Sequence, residues 1–307
     1  MQETLAVPLE TPPARSPSPR RRRALIALLA VFGLVLAGAY GLALHAYQTS
    51  TENAAPMYVG EWYEAEGSVL AQATVVSVDQ GKGEMVLRLE FYPQGSVLDP
   101  STGHPTVNMT LSAFGGGDSV QKEFRVGNPM TPTDLTVRLY GGHVSDYPFD
   151  RHQGSFGFYM TGYPDGDEAA LAVPLSIAFV PTFPGWTIGA ETSELYEDHG
   201  GAVQLTVERS ALTKGVAAFI WVAMLVLALG SMAIAVATLF RSDPPESDLL
   251  GYMGALLFAF PALREASPGT PPLGALSDFI AFFWAEGLVA VALVIMVTVW
   301  LRRQRYQ

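Results

Sequence analysis

The stretch EMVLRLEFY, residues 84–92, decides the fold class of the longest polar part of the chain. Every second residue from Met85 to Phe91 is apolar, and the residues between them are mostly polar. This period of two is typical of a strand with one buried face and one solvated face. The same alternation recurs in TDLTVRLY (133–140) and AVQLTVE (202–208). We therefore predict that this region forms a β-sheet.

Further segments have a strand-like composition and are separated by turns rich in Gly, Pro and Asp. They are Val69–Val78, Val107–Phe114, Ser119–Val126, Ser155–Thr161, Ala170–Val180 and Thr187–Leu195. Many short strands joined by such turns favour an antiparallel β-sandwich. We assign this sandwich to residues 48–213, which is enough chain for a hydrophobic core of its own.

Four apolar segments flank the predicted sandwich, at residues 24–47, 215–240, 249–263 and 279–301. The first is longer than the core of a signal peptide and lacks a clean cleavage site, so we predict a retained anchor. Three of the segments reach the ~20 residues that a membrane crossing requires. The segment 249–263 spans only about 23 Å as a helix, so its length alone would also suit a re-entrant segment.

The positions of the arginines favour four crossings. Arg20–Arg23 precede the first segment, and Arg302, Arg303 and Arg305 follow the last. Because arginine and lysine collect on the cytoplasmic side, four crossings place both clusters inside, whereas a re-entrant third segment would not. The predicted fold is therefore a membrane α+β protein with an exoplasmic β-sandwich and four transmembrane helices, one before the sandwich and three after it.

The predicted membrane is the plasma (inner) membrane, with both termini cytoplasmic. Residues 1–23 are rich in Pro and Ser and are predicted to be a disordered cytoplasmic tail. Residues 214–301 form the predicted three-helix transmembrane domain, and residues 302–307 form a short cytoplasmic tail.

Composition and motifs exclude several kinds of chemistry. The chain has a formal net charge of −11 and no cysteine, so nucleic acid binding, disulfides and thiol chemistry are not expected. The motifs G-x-S-x-G, G-x-x-x-x-G-K and H-E-x-x-H are absent. His143 and His152 could meet across one loop, but ordinary loop histidines are the better interpretation. We predict no catalytic residue, no metal, no cofactor and no enzymatic activity.

Four aromatic residues have two interpretations. Trp62, Tyr63, Trp186 and Tyr196 could line a ligand pocket, because rigid aromatic rings bind cations and planar groups. The favoured alternative is that they close the ends of the sandwich or lie at the lipid headgroups.

One ionisable residue lies deep inside a predicted membrane segment. Glu286, in FFWAEGLVA, falls near the middle of the bilayer, where a carboxylate is costly. Arg264 is its nearest basic partner in the predicted topology. Pro261 is expected to bend or end the preceding helix, whose small residues suit close helix packing: Gly251, Gly254, Ala255, Ala259 and Ala262.

The order of these parts resembles that of bacterial pentameric ligand-gated ion channels. A Tyr-Pro-Phe-Asp loop (147–150) precedes a Gly-Trp strand, PGWTIGAE (184–191), and Arg209 ends the last strand directly before a helix. The resemblance implies that Tyr147, Pro148, Phe149, Asp150 and Arg209 meet the link 263–273 at the membrane surface and couple the sandwich to the helices. It also places Glu246 and Asp248 at a cytoplasmic mouth.

The segment that would line such a channel is poor in polar groups. Between Asp248 and Arg264, Tyr252 alone has a polar side chain, and a pore with so apolar a lining should expel water. A channel therefore remains the alternative to a binding protein.

The chain is also similar to an uncharacterised family of multi-pass membrane proteins from mycobacteria and other actinobacteria. The similarity covers the single leading helix, the Tyr-Pro-Phe-Asp loop and the stretch FPALREASPGTPPLGALSDF (260–279). This family brings no assigned activity.

The predicted function is that of a non-enzymatic integral membrane protein of the cell envelope whose β-sandwich binds a ligand or a partner protein. The alternative is an oligomeric ligand-gated channel-like receptor. The expected partners are the lipid bilayer and a second copy or an envelope protein complex. We further expect the Asp150 carboxylate to accept hydrogen bonds from turn N–H groups or from Arg209.

Overall fold

The computed structural model describes residues 56–59, 67–163, 170–195, 200–241 and 247–304. The chain divides into two compact units, residues 1–46 and 47–307, and the description below concerns the second. The predicted first membrane segment lies outside the described residues except for Gly38 and Gly41, which are both helical. The predicted N-terminal tail, Glu246, Arg305, Trp62, Tyr63 and Tyr196 also lie outside them.

Twelve strands occupy the region in which the sequence predicts β structure. They are β1 (Met57–Val59), β2 (Val69–Asp79), β3 (Glu84–Pro93), β4 (Asn108–Phe114), β5 (Ser119–Phe124), β6 (Thr133–Tyr140), β7 (Arg151–Tyr163), β8 (Leu171–Ala172), β9 (Leu175–Val180), β10 (Thr182–Phe183), β11 (Trp186–Leu195) and β12 (Gly201–Arg209). The predicted single strand 170–180 is two strands. Pro174 separates them, and proline cannot donate to a strand ladder.

These strands form one large curled sheet, and the predicted antiparallel sandwich is not confirmed. The hydrogen-bonded order is β1-β9-β2-β3-β6-β7-β12-β11-β10, with β4 paired to β5 and β7 and with β8 paired to β7. Strands β2 and β9 run parallel, so the sheet is mixed. Strand β6 joins its two parts because it pairs with β3 along most of its length and with β7 at Leu139 and Tyr140.

The apolar residues that alternate in the sequence are the ones that the structure buries. Met85, Leu87 and Leu89 are almost fully buried, whereas Arg88 between them is exposed. Strands β6 and β12 bury alternate residues in the same way and contribute Leu135, Val137, Val203, Leu205 and Val207 to the same core. Full burial of each such aliphatic side chain stabilises the fold by about 1.5–3 kcal/mol.

Three helices follow the sheet: α1 (Ala211–Leu239), α2 (Ser247–Glu265) and α3 (Phe283–Gln304), the last preceded by a π-helical turn at Asp278–Phe282. Helix α1 begins directly after β12, because Ser210 is extended and its hydroxyl caps the helix by accepting a hydrogen bond from the Thr213 N–H at 3.2 Å. The sheet and the first helix are therefore joined without a linker.

Helices α1 and α3 pack against each other through small residues, with Ala228 and Ala235 of α1 and Ala285 and Ala292 of α3 fully buried. Helix α2 adds Met253, Leu256 and Phe260 to this core. The small residues of α2 are not its buried face, since Gly251, Ala255 and Ala262 are exposed. Of the two effects expected of Pro261, a bend or an end, the end does not occur, because Pro261 lies inside α2. The 19 residues of this helix span about 28 Å.

Within the described part of the chain, two helical segments are long and apolar enough to cross a membrane. They are Ala211–Leu239 and Asp278–Gln304. Many of their outward-facing side chains are apolar, among them Phe219, Val226 and Val294. This indicates association with a membrane, while the predicted four crossings are not shown. Helix α2 forms as expected but carries Asp248, Arg264 and Glu265 at its ends.

Candidate functional site at the junction of sheet and helices

Four polar side chains meet where the sheet joins the helices. We call Gln80, Asp150, His152 and Arg209 the junction cluster. Gln80 follows β2, Asp150 ends the Tyr-Pro-Phe-Asp loop, His152 lies on β7, and Arg209 ends β12. The side chains of Asp150, His152 and Arg209 are almost completely buried. Because buried charges must be paired, the hydrogen bonds within this cluster decide whether the junction is stable.

Arg209 and Asp150 form the charged centre of the cluster. The Arg209 Nε lies 3.3 Å from Asp150 Oδ1 and 3.2 Å from Oδ2. Gln80 connects the two, since its amide donates to Asp150 Oδ2 and its carbonyl oxygen accepts from Arg209 Nη2. This confirms the expected hydrogen bond between Asp150 and Arg209.

His152 completes the polar surroundings of Asp150. Its Nε2 lies 3.0 Å from Gln80 Nε2 and 3.6 Å from Asp150 Oδ2. Burial by itself raises the pKa of Asp150, but the neighbouring His152 ring, the charge of Arg209 and the Gln80 amide together hold that pKa below its ordinary value. The carboxylate is therefore ionised at neutral pH.

Two aromatic rings enclose the Arg209 guanidinium. Its Cζ lies 4.2 Å from the centre of the Trp186 ring and 5.1 Å from that of Tyr147. Such cation–π contacts contribute up to about 2 kcal/mol when desolvated. Trp186, for which the sequence left two interpretations open, thus supports Arg209. Burial raises the pKa of Tyr147 above its ordinary value.

The Tyr-Pro-Phe-Asp loop contacts the helices directly. Tyr147 is fully buried against Ala217 of α1 and Ala275, which lies between α2 and α3. The Phe149 ring lies edge-on to Trp221 of α1, with 6.4 Å between centroids. Pro148 is buried as well. One short loop therefore touches both the first helix and the connection between the other two.

Residues 266–277, which we call the α2–α3 link, reach the same place. Gly269 has a φ of +78° and lies so close to the Arg209 guanidinium that a Cβ would overlap it. The structure thus brings together Tyr147, Phe149, Asp150 and Arg209 with the link at Gly269 and Ala275. Their role in coupling remains a prediction.

The predicted pairing of Arg264 with Glu286 is wrong. Arg264 binds Asp278 instead, with its Nε 2.7 Å from Oδ1 and its Nη2 2.9 Å from Oδ2. Glu286 Oε2 is buried, and among the described residues it has no hydrogen-bond partner. Asp278 follows directly after the α2–α3 link and is closer to Arg264 along the chain than Glu286 is. The path of the link places the Asp278 carboxylate against the guanidinium.

Asp248 and His143 are not part of the junction cluster. Asp248 is exposed in the first turn of α2, and the other residue of the predicted cytoplasmic mouth is outside the described chain. His143 is exposed, whereas His152 belongs to the junction cluster. Among the described residues, no three His, Asp or Glu side chains are grouped as metal ligands would be.

The sequence analysis missed Gln80, His152 and Asp278 as partners. Gln80 lies in an ordinary hairpin turn and carries no signal that could reveal a partner 129 residues away. Asp278 did carry a signal, because it is the single acidic residue between Glu265 and Glu286 and opens the segment that follows Arg264.

Fold and junction together define a β domain joined without a linker to a helical bundle, two of whose helical segments can cross a membrane. Residues 59–207 match a family described as Domain of unknown function (DUF4436), and residues 209–303 match one described as Domain of unknown function (DUF8686). Both matches are to uncharacterised families, as the sequence predicted. No curated protein matches the chain.

The two matches meet at the junction cluster. The first ends at residue 207 and the second begins at Arg209. Gln80, Asp150 and His152 lie in the first matched region, so the hydrogen bonds of Arg209 with Asp150 and Gln80 join the two matched regions.

Proposed function

We propose that the protein is a non-enzymatic integral membrane protein of the cell envelope. The β domain binds a ligand or a partner protein, and the junction cluster couples that domain to helices that cross the plasma membrane. The absence of catalytic motifs from the sequence supports binding over catalysis.

The observation that carries this proposal is the position of Arg209. The residue ends β12, Ser210 caps α1, and one residue therefore separates the strand from the helix. The Arg209 side chain is held by Gln80, in the turn after β2, and by Asp150 of the Tyr-Pro-Phe-Asp loop. Because these contacts are buried and charged, a displacement of β12 or β7 is transmitted to α1 instead of being absorbed by a flexible linker.

The coupling is tested with the full-length protein in lipid nanodiscs. Hydrogen–deuterium exchange of the first turns of α1 is compared in Asp150→Asn and Asp134→Asn. Asp134 pairs with Arg88 on the solvated face of the sheet, so it controls for the loss of any Arg–Asp pair. Faster exchange in α1 for Asp150→Asn alone is expected, and equal exchange in both variants would refute the coupling.

Binding is tested on protein released from its own membrane in native nanodiscs. Native mass spectrometry should give a mass above that of the chain and its lipids, which identifies a bound ligand or partner. A five-fold ring of bare chains, together with a planar-bilayer current that is reduced by Asp248→Lys, would instead establish the channel alternative. The apolar side chains between Asp248 and Arg264 favour binding.

The proposed orientation places the β domain outside and both termini in the cytoplasm, as the arginine clusters at the two ends suggest. Since the chain has no cysteine, maleimide labelling of a single introduced cysteine shows on which side of the membrane that residue lies. A membrane-impermeant maleimide should label Ser101→Cys on intact cells and should label Gln304→Cys after lysis. The reverse pattern would overturn the orientation.

A further inference from the structure

The α2–α3 link has an apolar surface at a position where a loop is normally polar. Its twelve residues, ASPGTPPLGALS, include no ionisable side chain. Leu273 is 80% exposed, and Leu276 and the following Phe279 are exposed too. In water these side chains would lose the stabilisation that burial of apolar surface provides.

Several backbone groups of the link make their hydrogen bonds within the protein. Arg264 Nη2 donates to the carbonyl oxygens of Pro271, at 3.2 Å, and Pro272, at 2.8 Å. Asp278 Oδ2 accepts from the Gly274 N–H at 2.8 Å. The N–H groups of Thr270 and Ala275 bind carbonyl oxygens of the link itself.

This arrangement suits a loop in contact with lipid. Prolines 268, 271 and 272 have no N–H group to satisfy. Water supplies partners to a loop in solution, whereas backbone groups that lose water beside lipid are stabilised by partners within the protein. The Arg264–Asp278 pair also neutralises its own charges where the link begins and ends.

Aromatic and apolar side chains continue this surface on both sides of the link. Phe149 of the neighbouring loop is 58% exposed. Phe283 and Trp284 are exposed in the first turn of α3, after the π-helical turn that follows the link. Aromatic residues are enriched where a helix enters the lipid headgroups, and here they join the apolar outer faces of α1 and α3.

We propose that the α2–α3 link is immersed in the interfacial layer of a phospholipid bilayer, with Leu273 and Leu276 inserted among the lipids. The inference rests on the proposed function, in which α1 and α3 cross the membrane. The exposed Glu265 and Asp146 stay on the water side of this layer. The junction cluster then lies directly at the bilayer surface, because the link contacts Arg209 at Gly269.

The test uses full-length protein with one introduced cysteine carrying the fluorophore NBD, in phosphatidylcholine–phosphatidylglycerol vesicles. Leu273→Cys is the test position. Val294→Cys, on the exposed face of α3, is the reference for lipid, and Ser101→Cys, in an exposed turn of the β domain, is the reference for water. Quenching is measured with lipids that carry a nitroxide near the headgroup and with aqueous iodide.

We expect headgroup nitroxides to quench Leu273→Cys several-fold more than Ser101→Cys, with an emission shifted to the blue. The inference is wrong, and the proposed function stands, if Leu273→Cys is quenched like Ser101→Cys while the quenching of Val294→Cys shows that its label lies in lipid. If Val294→Cys is also in water, the proposed function fails. Protection from both quenchers means that protein covers the link, which also overturns the inference. Leu276→Cys provides a second position should the first variant not fold.

Discussion

Two arginine–aspartate pairs of the same chemistry lie in opposite surroundings. The side chains of Arg209 and Asp150 are 4% and 0% exposed, whereas those of Arg88 and Asp134 are 47% and 46% exposed. The exposed pair has the better geometry, with two bonds of 2.8 and 3.0 Å, against 3.2 and 3.3 Å in the junction. Bond length is therefore a poor guide to the importance of either pair.

What separates the two pairs is the fate of the charge that is left when one partner is removed. Water solvates Arg88 if Asp134 is lost, so an exposed pair contributes little. Arg209 has no access to water and would remain a buried, uncompensated charge. The predictions below compare matched substitutions at the two sites.

The largest effect is expected for Asp150→Ala. The substitution removes the counter-charge of a buried arginine, and we expect a loss of about 3–5 kcal/mol in the free energy of unfolding. The measurement is denaturant unfolding of the full-length protein in detergent, followed by circular dichroism. Asp134→Ala should leave the unfolding midpoint nearly unchanged, and equal losses in the two variants would contradict the comparison.

Arg209→Lys should have an intermediate effect. Lysine keeps the positive charge but loses the planar group that lies between Trp186 and Tyr147 and binds both Asp150 and Gln80. We expect a loss of about 2 kcal/mol by the same unfolding measurement. Arg88→Lys is the matched control. A tolerated Arg209→Lys would mean that charge alone holds the junction.

Gly269→Ala should destabilise the junction by a smaller amount. Its φ of +78° is strained for alanine, and the new Cβ would meet the Arg209 guanidinium. Gly103 offers a close control, since its φ is +76° and nothing lies within 4 Å of a Cβ there. Strain alone costs about 1 kcal/mol at either site. The excess loss of Gly269→Ala over Gly103→Ala measures the contact with Arg209, and no excess would exclude it.

The smallest expected effect is on the pH dependence of the stability of the fold. A carboxylate whose pKa is lowered on folding stabilises the protein above its unfolded pKa of about 3.9, and this contribution is lost as the pH falls through the lower folded pKa. The pKa of Asp150 is lowered in this sense. Unfolding midpoints should therefore fall more steeply below about pH 4 for the wild type than for Asp150→Asn. Parallel curves would show that Asp150 is not ionised in the fold.

Local pattern was sufficient for the longer strands and for the three helices that follow the sheet, whereas the short strands β1 and β10 were not predicted. The alternation in EMVLRLEFY became β3 because side chains of a strand point to opposite faces, which holds whatever the strand pairs with. The apolar segments after residue 213 became helices for the same local reason. The resemblance to pentameric ligand-gated channels, and not a local pattern, led us to expect the Tyr-Pro-Phe-Asp loop and Arg209 at the same place beside the helices.

Pairing between distant segments was not predictable in this way. The parallel contact of β2 with β9 and the continuity of the sheet through β6 depend on which strands meet, and alternation is the same for every partner. The partner of Arg264 was also misassigned. Asp278 and Glu286 are both acidic, and only the path of the link places the first against the guanidinium.

By itself, the sequence determined the order of a β domain and apolar helices, because periodicity and hydropathy are properties of each segment alone. The residues expected to meet between them came from the resemblance to pentameric ligand-gated channels. The tertiary structure decided that these residues form a buried cluster in which Gln80 joins Asp150 to Arg209, with Trp186 and Tyr147 around the charge. Burial and geometry between residues far apart in the chain arise only when the sheet closes on the helices. For this reason we expect the loss of the buried arginine–aspartate pair to cost far more stability than the loss of the exposed pair.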